Sequence, residues 1–344
     1  MRLLLPALLL LGAATILPAQ ERADISAETI LAGEMPKTLS EFGFFDGSAH
    51  RPSAQLIPYT LGMPLFSDYA EKQRFIYLPT GKSVQVEAGS GRLIFPLGTA
   101  IIKSFGYAEA DGQLHILETR LLLNRADGWT ALPYVWRDDG RDADLKLGGK
   151  RIEVRFTPPG GAAPQQISYA VPNKNQCKQC HASNNIVQPV GPMLGNMQFA
   201  DKQAKERLLR GSGYTGGAVM DFARWDEPAS AGVDARAASY LYVNCGHCHR
   251  PSGSASNSGL FFDRGNYPAA NLGIGKRPVA AGRGSGGLEF VIAPGHPEQS
   301  ILIHRMKSLD PGVAMPELGR ASVHGEGLLL LEQWIKEMPE QAGS

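Results

Sequence analysis

All four cysteines of the 344-residue chain fall into two copies of one short motif. The copies are Cys177, Cys180 and the adjacent His181 in NQCKQCHAS, and Cys245, Cys248 and the adjacent His249 in NCGHCHRPS. An exported protein of this length with four cysteines would ordinarily be expected to form two disulfides. Here a histidine follows each cysteine pair directly, so the pattern indicates a group bound through both sulfur and imidazole.

Three kinds of site use closely spaced cysteines. A zinc site uses C-x-x-C pairs but does not require a histidine directly after each pair. A thioredoxin-like pair begins a helix after a strand in a βαβ unit, and one pair would suffice. C-x-x-C-H is instead the attachment pattern for haem c, in which both sulfurs form thioethers and the histidine binds iron.

We therefore predict two covalently bound haem c groups. The predicted attachment residues are Cys177 and Cys180 for the first haem and Cys245 and Cys248 for the second. The predicted iron ligands are His181 and His249, whereas His247, inside the second motif, is interpreted as an exposed spacer.

The first 19 residues have the pattern of a secretory signal peptide. Arg2 precedes an apolar run from Leu3 to Leu17, and Ala19 is small enough for cleavage. An uncleaved N-terminal anchor is the alternative. No other stretch reaches the roughly 20 apolar residues of a membrane span, so the mature chain is expected to be periplasmic with no transmembrane segment.

Charge limits the classes of partner. The chain has 34 basic and 33 acidic residues, and this balance gives no electrostatic footprint for nucleic acid or for an anionic membrane. The expected partners are redox proteins that bind a local patch: a donor dehydrogenase or quinol-linked complex, and an acceptor cytochrome or oxidase.

Three helices are predicted around the second motif. DARAASYLYVN, residues 234–244, leads into Cys245, and GHPEQSILIHRMKS and GEGLLLLEQWIKEM follow further along the chain. The order of helix, motif, loops and final helix resembles a cytochrome c domain over residues 234–340. The stretch from Pro251 to Pro294 is long and rich in glycine and serine for such a domain.

Met315 is the predicted sixth ligand of the second haem. It lies in DPGVAMPELGR and is followed by Pro316, as is common for the methionine ligand in the cytochrome c family. A packing role is the alternative, and Met306 and His304 rank below Met315 because they fall inside a predicted helix. For the first haem the sixth ligand stays open; the candidates are Met193, Met197, His115 and His50, or a vacant or water-bound position.

The region before the first motif is rich in predicted strands. Runs of β-branched and aromatic residues occupy residues 73–171, and turn signals occur at Asp111-Gly112 and Asp127-Gly128. Such a pattern favours a sandwich-like antiparallel domain. Glu118 and Arg120 on one strand are candidates for lining a cleft, although ordinary polar alternation explains them equally well.

The predicted fold class is therefore multidomain: a mainly antiparallel β, sandwich-like N-terminal domain joined to an all-α cytochrome c C-terminal domain. The predicted boundaries are a signal peptide (1–19), a lead-in segment (20–60), a β-rich domain ending in the first motif (61–199), a linker (200–233) and the cytochrome c domain (234–340).

Several longer segments resemble a family of bacterial exported dihaem c-type cytochromes. They include YTLGMPLFSDYAEKQRFIYLPTG, GTAIIKSFGY, GWTALPYVW, VPNKNQCKQCH, YLYVNCGHCHRP and MPELGR. The resemblance implies a family-specific N-terminal domain, a haem site at its end and a cytochrome c domain. The expected function is single-electron transfer between redox partners. The alternatives are a peroxidase-like dihaem oxidoreductase whose open first haem is fed by the second, and a ligand-binding or docking β domain with the haems as its outlet.

Overall fold

A computed structural model describes residues 24–109, 111–161 and 163–340. The signal peptide predicted for residues 1–19 lies outside this range. In the part of the chain that is described, no helix is long and apolar enough to cross a membrane.

The described residues contain short helices and short strands in an irregular order. The α-helices are α1 (Ala27–Leu31), α2 (Lys174–His181), α3 (Lys202–Leu209), α4 (Val233–Asn244), α5 (Ile301–Lys307) and α6 (Gly325–Lys336). The strands are β1 (Ile57–Pro58), β2 (Thr60–Leu61), β3 (Glu71–Tyr77), β4 (Gln85–Val86), β5 (Leu93–Ile94), β6 (Ala100–Ala108), β7 (Leu114–Arg125), β8 (Gly128–Trp136), β9 (Ala143–Leu145), β10 (Lys150–Phe156), β11 (Gln165–Val171), β12 (Ala182–Ser183), β13 (Ile186–Val187) and β14 (Met197–Gln198). Single turns of 3-10 helix occur at Leu39–Phe42, Pro159–Gly161, Leu194–Asn196, Ser256–Ser258, Ala269–Leu272, Gly282–Ser285 and Pro297–Gln299.

One antiparallel sheet of six strands forms the centre of the N-terminal region, in the order β1-β3-β6-β7-β8-β9. The predicted turns join its strands: Gly112 has φ +80° between β6 and β7, and Gly128 has φ +113° where β8 begins. A positive φ is readily adopted only by glycine, so these two positions allow the chain to reverse tightly. Both turn predictions are confirmed.

The two faces of this sheet differ in chemistry. Side chains alternate along a strand, so Ile102 of β6 and Leu121 and Leu123 of β7 share one face. That face packs in a large apolar core with residues from the segment predicted as a lead-in, among them Ile30 and Phe42. The opposite face carries charged residues and forms a wall of the cavity described below.

The expected sandwich is wrong. β10 and β11 form a separate hairpin, and β12-β13, β14-β2 and β4-β5 are two-stranded ribbons. No second large sheet covers the first among the described residues. The strand propensities were correct, but the short strands pair locally as ribbons and do not add to a second layer.

The expected all-α cytochrome c domain over residues 234–340 is also wrong. Helices form close to the three predicted places, at α4, α5 and α6, but each has 12 residues or fewer. The chain between α4 and α5 is composed of turns, bends and single 3-10 turns. Glycines there adopt positive φ, as at Gly259, Gly273 and Gly286, and such positions interrupt regular helix. The predicted fold class is therefore corrected: the described chain is a mixture of short helices and strands built around one antiparallel sheet.

The C-terminal helices have a core of their own. Leu331 and Ile335 of α6 are fully buried and pack with Leu241 of α4 and Ile303 of α5. The indole Nε1 of Trp334 donates a hydrogen bond to the Asp234 carboxylate at 2.9 Å, which fixes α6 against the first turn of α4.

Hydrogen bonds join the sheet region to the C-terminal region. The Asp68 carboxylate accepts bonds from the backbone N–H groups of Ala321 and Ser322 at 2.7 and 2.8 Å. The amide N–H of Phe66 donates to the Asn244 side-chain oxygen at 2.8 Å. These bonds hold the end of α4, where the second motif begins, beside the sheet.

Candidate functional site

A cavity of about 880 Å³ lies between the charged face of the sheet and the C-terminal region. Both C-x-x-C-H motifs reach it, and its lining includes Cys180, His181, Cys245, Cys248 and His249. Its volume lies toward the upper end of the roughly 300–1,000 Å³ of small-molecule and cofactor sites. The structure thus brings to one place two motifs that are separated by more than 60 residues in sequence.

The first motif lies inside helix α2. The Asn173 side chain accepts a hydrogen bond from the Gln176 backbone N–H, and the Gln176 side chain accepts one from the Asn173 backbone N–H, each at 2.9 Å. This reciprocal capping box starts the helix directly after strand β11. Cys177 is buried, and Cys180 and His181 lie in the last turn of α2 on the cavity wall.

A tight turn after α2 orients the His181 ring. Asn184 and Asn185 have φ of +50° and +64° and reverse the chain between β12 and β13. This reversal brings the Gln188 carbonyl oxygen to 3.1 Å from His181 Nδ1, so Nδ1 carries the proton and donates to it. Burial lowers the pKa of His181 to about 4, which keeps the ring neutral. The Nε2 lone pair is left available, as in a metal-binding histidine whose other nitrogen bonds a backbone carbonyl.

The second motif follows the end of helix α4. The backbone N–H groups of Cys248 and His249 both donate to the Cys245 carbonyl, at 3.1 and 2.9 Å, so the motif curls into a single turn. Its histidine is oriented by a hydroxyl, because His249 Nδ1 lies 3.2 Å from Ser258 Oγ.

The direction of the His249 bond follows from the other bonds of Ser258. The Ser258 hydroxyl donates its proton to the Ala255 carbonyl at 2.7 Å, so its oxygen accepts from His249 Nδ1. Burial lowers the pKa of His249 as well. Both motif histidines therefore have the same tautomer, with Nδ1 bonded locally and the Nε2 lone pair available.

The two motifs contact each other directly. Cys180 and Cys248 both line the cavity, and each shifts the pKa of the other, upward for Cys180 and downward for Cys248. Just beyond, Ser183 Oγ donates to Ser252 Oγ at 2.8 Å, and the Asn184 N–H donates to the Ser252 carbonyl at 3.0 Å. The attachment cysteines of one motif are thus beside those of the other.

His247 also reaches the cavity. It is half-buried, and its Nδ1 is buried without a hydrogen-bond partner. Its interpretation as an exposed spacer is wrong, because the turn after α4 directs this side chain inward.

The surroundings of the first motif differ from those of a thioredoxin-like redox pair. Across the described residues, no group of three or more histidine, cysteine or acidic side chains is placed to hold a metal ion. Cys177 follows the first turn of α2, and β10 and β11 before it are antiparallel, so the setting is not a βαβ unit. Burial raises the pKa of the Cys177 thiol, the opposite of what a reactive thiolate requires.

Of the sixth-ligand candidates for the second haem, both methionines line the cavity. Met315 is half-buried, and its backbone N–H donates to the Arg305 carbonyl at 3.0 Å, which fixes the loop. Met306 lines the cavity from α5 but is buried in the C-terminal core. His304 is not part of the lining, and its ring lies against Gly286.

The candidates for the first haem are separated by their positions. Met193 lines the cavity, whereas Met197 packs in a different apolar core. The His115 side chain is 53% exposed and lies 3.5 Å from a Glu109 carboxylate oxygen. His50 is exposed on the surface. Of these four residues, only Met193 reaches the cavity.

A row of cations on the sheet was missed by the sequence analysis. Arg74 of β3 is the direct cross-strand partner of Lys103 of β6, and Lys103 is the direct partner of Arg120 of β7. All three side chains line the cavity. All three lie within the strand-rich region predicted for residues 73–171, but only the pairing register shows that they are neighbours.

Glu118 and Arg120, predicted as a possible cleft strip, have different roles. Glu118 is fully buried and accepts hydrogen bonds from Arg120 Nε at 2.9 Å and from the Tyr169 hydroxyl at 2.6 Å. Arg120 reaches the cavity, and Glu118 is not part of its lining.

His324 also lines the cavity and was not predicted. It is 8% exposed, its ring stacks on Phe66 with centroids 4.3 Å apart, and its Nδ1 is 2.9 Å from the Tyr240 hydroxyl. Its Nε2 lies 3.8 Å from a Glu326 carboxylate oxygen. Because both ring nitrogens face protein partners, His324 is placed as a structural contact between the two regions.

The cavity therefore offers two neutral imidazoles with available Nε2 atoms, three cysteine sulfurs and three methionine sulfurs, those of Met193, Met306 and Met315. The fourth cysteine, Cys177, is buried in α2 outside the lining. These donors fit the axial and covalent requirements of haem c at the second motif, and at the first motif His181 and Cys180 face the cavity while Cys177 does not. Comparison of the chain with protein-family models, with curated proteins and with solved structures gives no significant match, so any assignment rests on the residues of this cavity.

Proposed function

We propose that the chain is a dihaem c-type cytochrome. Cys177 and Cys180 hold one haem and Cys245 and Cys248 hold the other, with His181 and His249 as the proximal ligands. The observation that carries the proposal is the matched state of the two histidines, each with Nδ1 donating to a local acceptor and Nε2 free beside a shared cavity. This tautomer leaves Nε2 of each ring available to a metal, which supports iron ligation by both histidines.

The proposed activity is single-electron transfer between periplasmic redox proteins. The haem supplies the one-electron chemistry, and the chain supplies ligation, burial and spacing. The hydrogen bonds from Ser183 and Asn184 to Ser252 hold the two motif segments against each other, which supports a short distance between the two proposed haems. This proximity supports electron exchange within one molecule between a site at the sheet and a site at the C-terminal helices.

The first test is covalent haem content. The full-length protein, expressed with cytochrome maturation machinery, should retain two haem masses in denaturing mass spectrometry. The double variant Cys177→Ala/Cys180→Ala should retain one, and so should Cys245→Ala/Cys248→Ala, whereas the exposed control Ser256→Ala should retain both. A wild-type protein with no covalent haem, or with free thiols at either motif, contradicts the proposal.

Met315 is proposed as the sixth ligand of the second haem. A thioether is a soft, weakly donating ligand that favours ferrous iron. Met315→His should lower the potential of one haem and remove the weak near-infrared band of methionine-ligated ferric haem. Met306→Leu, a change of similar volume in the adjacent core, is the control and should preserve the band. If instead Met306→Leu removes the band and Met315→His does not, the ligand is Met306.

The same spectra separate electron transfer from enzymatic use. Two low-spin haems that do not react with carbon monoxide or peroxide support the carrier. A high-spin first haem that binds either molecule would instead favour the peroxidase-like dihaem oxidoreductase.

A further inference from the structure

Three cations lie side by side across the sheet beneath the first motif. In the antiparallel register Arg74 is directly opposite Lys103, and Lys103 is directly opposite Arg120. Directly opposed residues have Cβ atoms about 4.5–5.5 Å apart, and like charges at this separation are destabilising. A compensating anion would stabilise such a row; without one, burial and then the neighbouring cations hold the pKa of Lys103 well below its usual value.

The described residues supply only part of that compensation. Arg120 is paired with the buried carboxylate of Glu118. Arg74 is 7% exposed, and its one hydrogen bond to protein goes to the Lys72 carbonyl at 3.2 Å. No carboxylate among the described residues forms an ion pair with Arg74 or Lys103. A charged side chain that is buried without a partner loses hydration, and this loss is costly in free energy.

The rest of the cavity wall does not provide the missing negative charge. The charged side chains of the lining are seven cations and two acids: Arg74, Arg92, Lys103, Arg120, Arg250, Arg305 and Arg320 against Asp263 and Glu317. On the wall near the second motif, Nε and Nη2 of Arg250 are buried without a hydrogen-bond partner. The cavity as a whole is therefore built for an occupant that carries negative charge.

The row belongs to the side of the first motif. Arg120 Nη2 lies 3.4 Å from the hydroxyl of Tyr169 on β11, the strand that leads into helix α2. Strand β8, the neighbour of β7, contacts helix α2, which carries Cys180. An anionic group bound at this haem would therefore have the row within reach.

We infer that Arg74, Lys103 and Arg120 form a carboxylate-binding site that takes the propionate groups of the haem attached at Cys177 and Cys180. The inference rests on the proposed function and adds to it an anchor on the sheet for the first haem. A guanidinium group such as that of Arg74 binds a carboxylate through two parallel hydrogen bonds, and the ammonium group of Lys103 adds a further cationic donor. Arg120 holds Glu118 with Nε and Nη2, which leaves its Nη1 for the carboxylate. The row thereby fixes how the porphyrin is oriented over the sheet as well as where it is attached.

The test compares the direction in which one substitution shifts the midpoint of thermal unfolding in two backgrounds of the full chain. Lys103→Met removes the ammonium charge and preserves most of the side-chain volume. In the Cys177→Ser/Cys180→Ser background, which lacks the first haem, it should raise the midpoint of thermal unfolding by about 2–4 °C, because an uncompensated charge is removed. In the wild-type background it should lower the midpoint, because a carboxylate partner is lost.

Lys82→Met is the matched control, since Lys82 is exposed on the surface. Lys82→Met should shift the midpoint of thermal unfolding by the same small amount in both backgrounds. Resonance Raman spectra provide a second readout that does not depend on folding of the haem-deficient variant. The propionate bending band of the first haem should shift in Lys103→Met and in Arg74→Met, but not in Lys82→Met.

The outcomes separate this inference from the proposed function. If the wild-type protein carries no covalent haem, the proposed function fails. A second outcome is that two haems are present while Lys103→Met shifts the midpoint of thermal unfolding in the same direction in both backgrounds and leaves the propionate band unchanged. In that case only the carboxylate site fails. If added succinate stabilises the haem-deficient variant and the loaded protein equally, the row binds a free carboxylate and the propionate assignment is overturned.

Discussion

The sheet region and the C-terminal region both border the cavity, but their cores relate to it differently. The main apolar core of the sheet lies on the face turned away from the cavity, and none of its residues is part of the cavity lining. The C-terminal core shares its members with the wall, among them Tyr240, Phe262, Val291 and Met306. An occupant of the cavity would complete the second core and leave the first unaffected.

This difference assigns distinct tasks to the two regions. A core closed on itself gives a scaffold whose stability is independent of ligand. A core that is open toward a cavity gains stability when a bound group prefers the native state. We therefore expect haem binding to order mainly residues 233–340.

The largest expected effect is on protease resistance without haem. Full-length protein made without maturation machinery should retain a resistant fragment containing the six-stranded sheet, while residues 233–340 are digested at least about tenfold faster than in the haem-loaded protein. The physical reason is the open C-terminal core. Limited proteolysis with mass spectrometry measures this ratio. Equal resistance of both regions in the haem-free protein contradicts the comparison.

Buried leucines in each region should respond differently to haem. Leu123→Ala in the sheet core and Leu331→Ala in the C-terminal core each remove a fully buried side chain and should cost about 2–5 kcal/mol of unfolding free energy in the loaded protein. Without haem, the cost of Leu123→Ala should persist and that of Leu331→Ala should largely disappear. Denaturant titration measures both.

The leucine comparison has one exposed control in each region. Leu329 lies on α6 and is 66% exposed, and Leu97 precedes β6 and is 52% exposed. Replacing either with alanine should change the free energy by less than about 0.5 kcal/mol. A haem-free protein in which Leu331→Ala remains as costly as Leu123→Ala would show that the C-terminal core closes by itself.

The next effect concerns the histidine between the two regions. Burial lowers the pKa of His324 from 6.5 to about 4, so the folded state binds fewer protons than the unfolded state between these values. Its contribution to stability is present above pH 6.5 and is lost as the pH falls toward 4, by at most about 3 kcal/mol. His324→Phe keeps a ring for stacking on Phe66 and should remove this part of the pH slope.

The readout is the slope of unfolding free energy between pH 6.5 and 4 in the loaded protein. The absolute stability of His324→Phe is less informative, because the Tyr240 hydroxyl loses its partner. His50→Phe, on the surface, should leave the slope unchanged. An unaltered slope in His324→Phe would show that His324 does not couple stability to pH.

The smallest expected effect is at the contact between the two motifs. Ser252→Ala removes the hydroxyl that accepts from Ser183 Oγ at 2.8 Å and should cost about 0.5–1.5 kcal/mol in the loaded protein. Because this bond joins the sheet side to the C-terminal side, the cost should appear in both regions when each is followed by hydrogen exchange. Ser256→Ala, an exposed neighbour, is the control. Loss confined to one region would show that the contact does not couple them.

Much of the local structure could be predicted from the sequence. Periodicity and capping residues signal the helices near residues 234–244, 301–307 and 325–336. Glycines signal the turns at Asp111-Gly112 and Asp127-Gly128. The fold class was wrong because such signals do not report how elements assemble. Short strands can join one large sheet or separate ribbons, and three short helices do not make an all-α domain when turns separate them.

What the sequence by itself determined is the pattern from which haem attachment is proposed: two cysteine pairs, each followed directly by a histidine. Only the tertiary structure decided that the two motifs share one cavity, that Met315, Met306 and Met193 reach it, and that Arg74, Lys103 and Arg120 stand in a row. The reason is physical. Covalent chemistry is set by residue type at close spacing, whereas strand register and the meeting of distant segments are set by the burial and pairing of the whole chain.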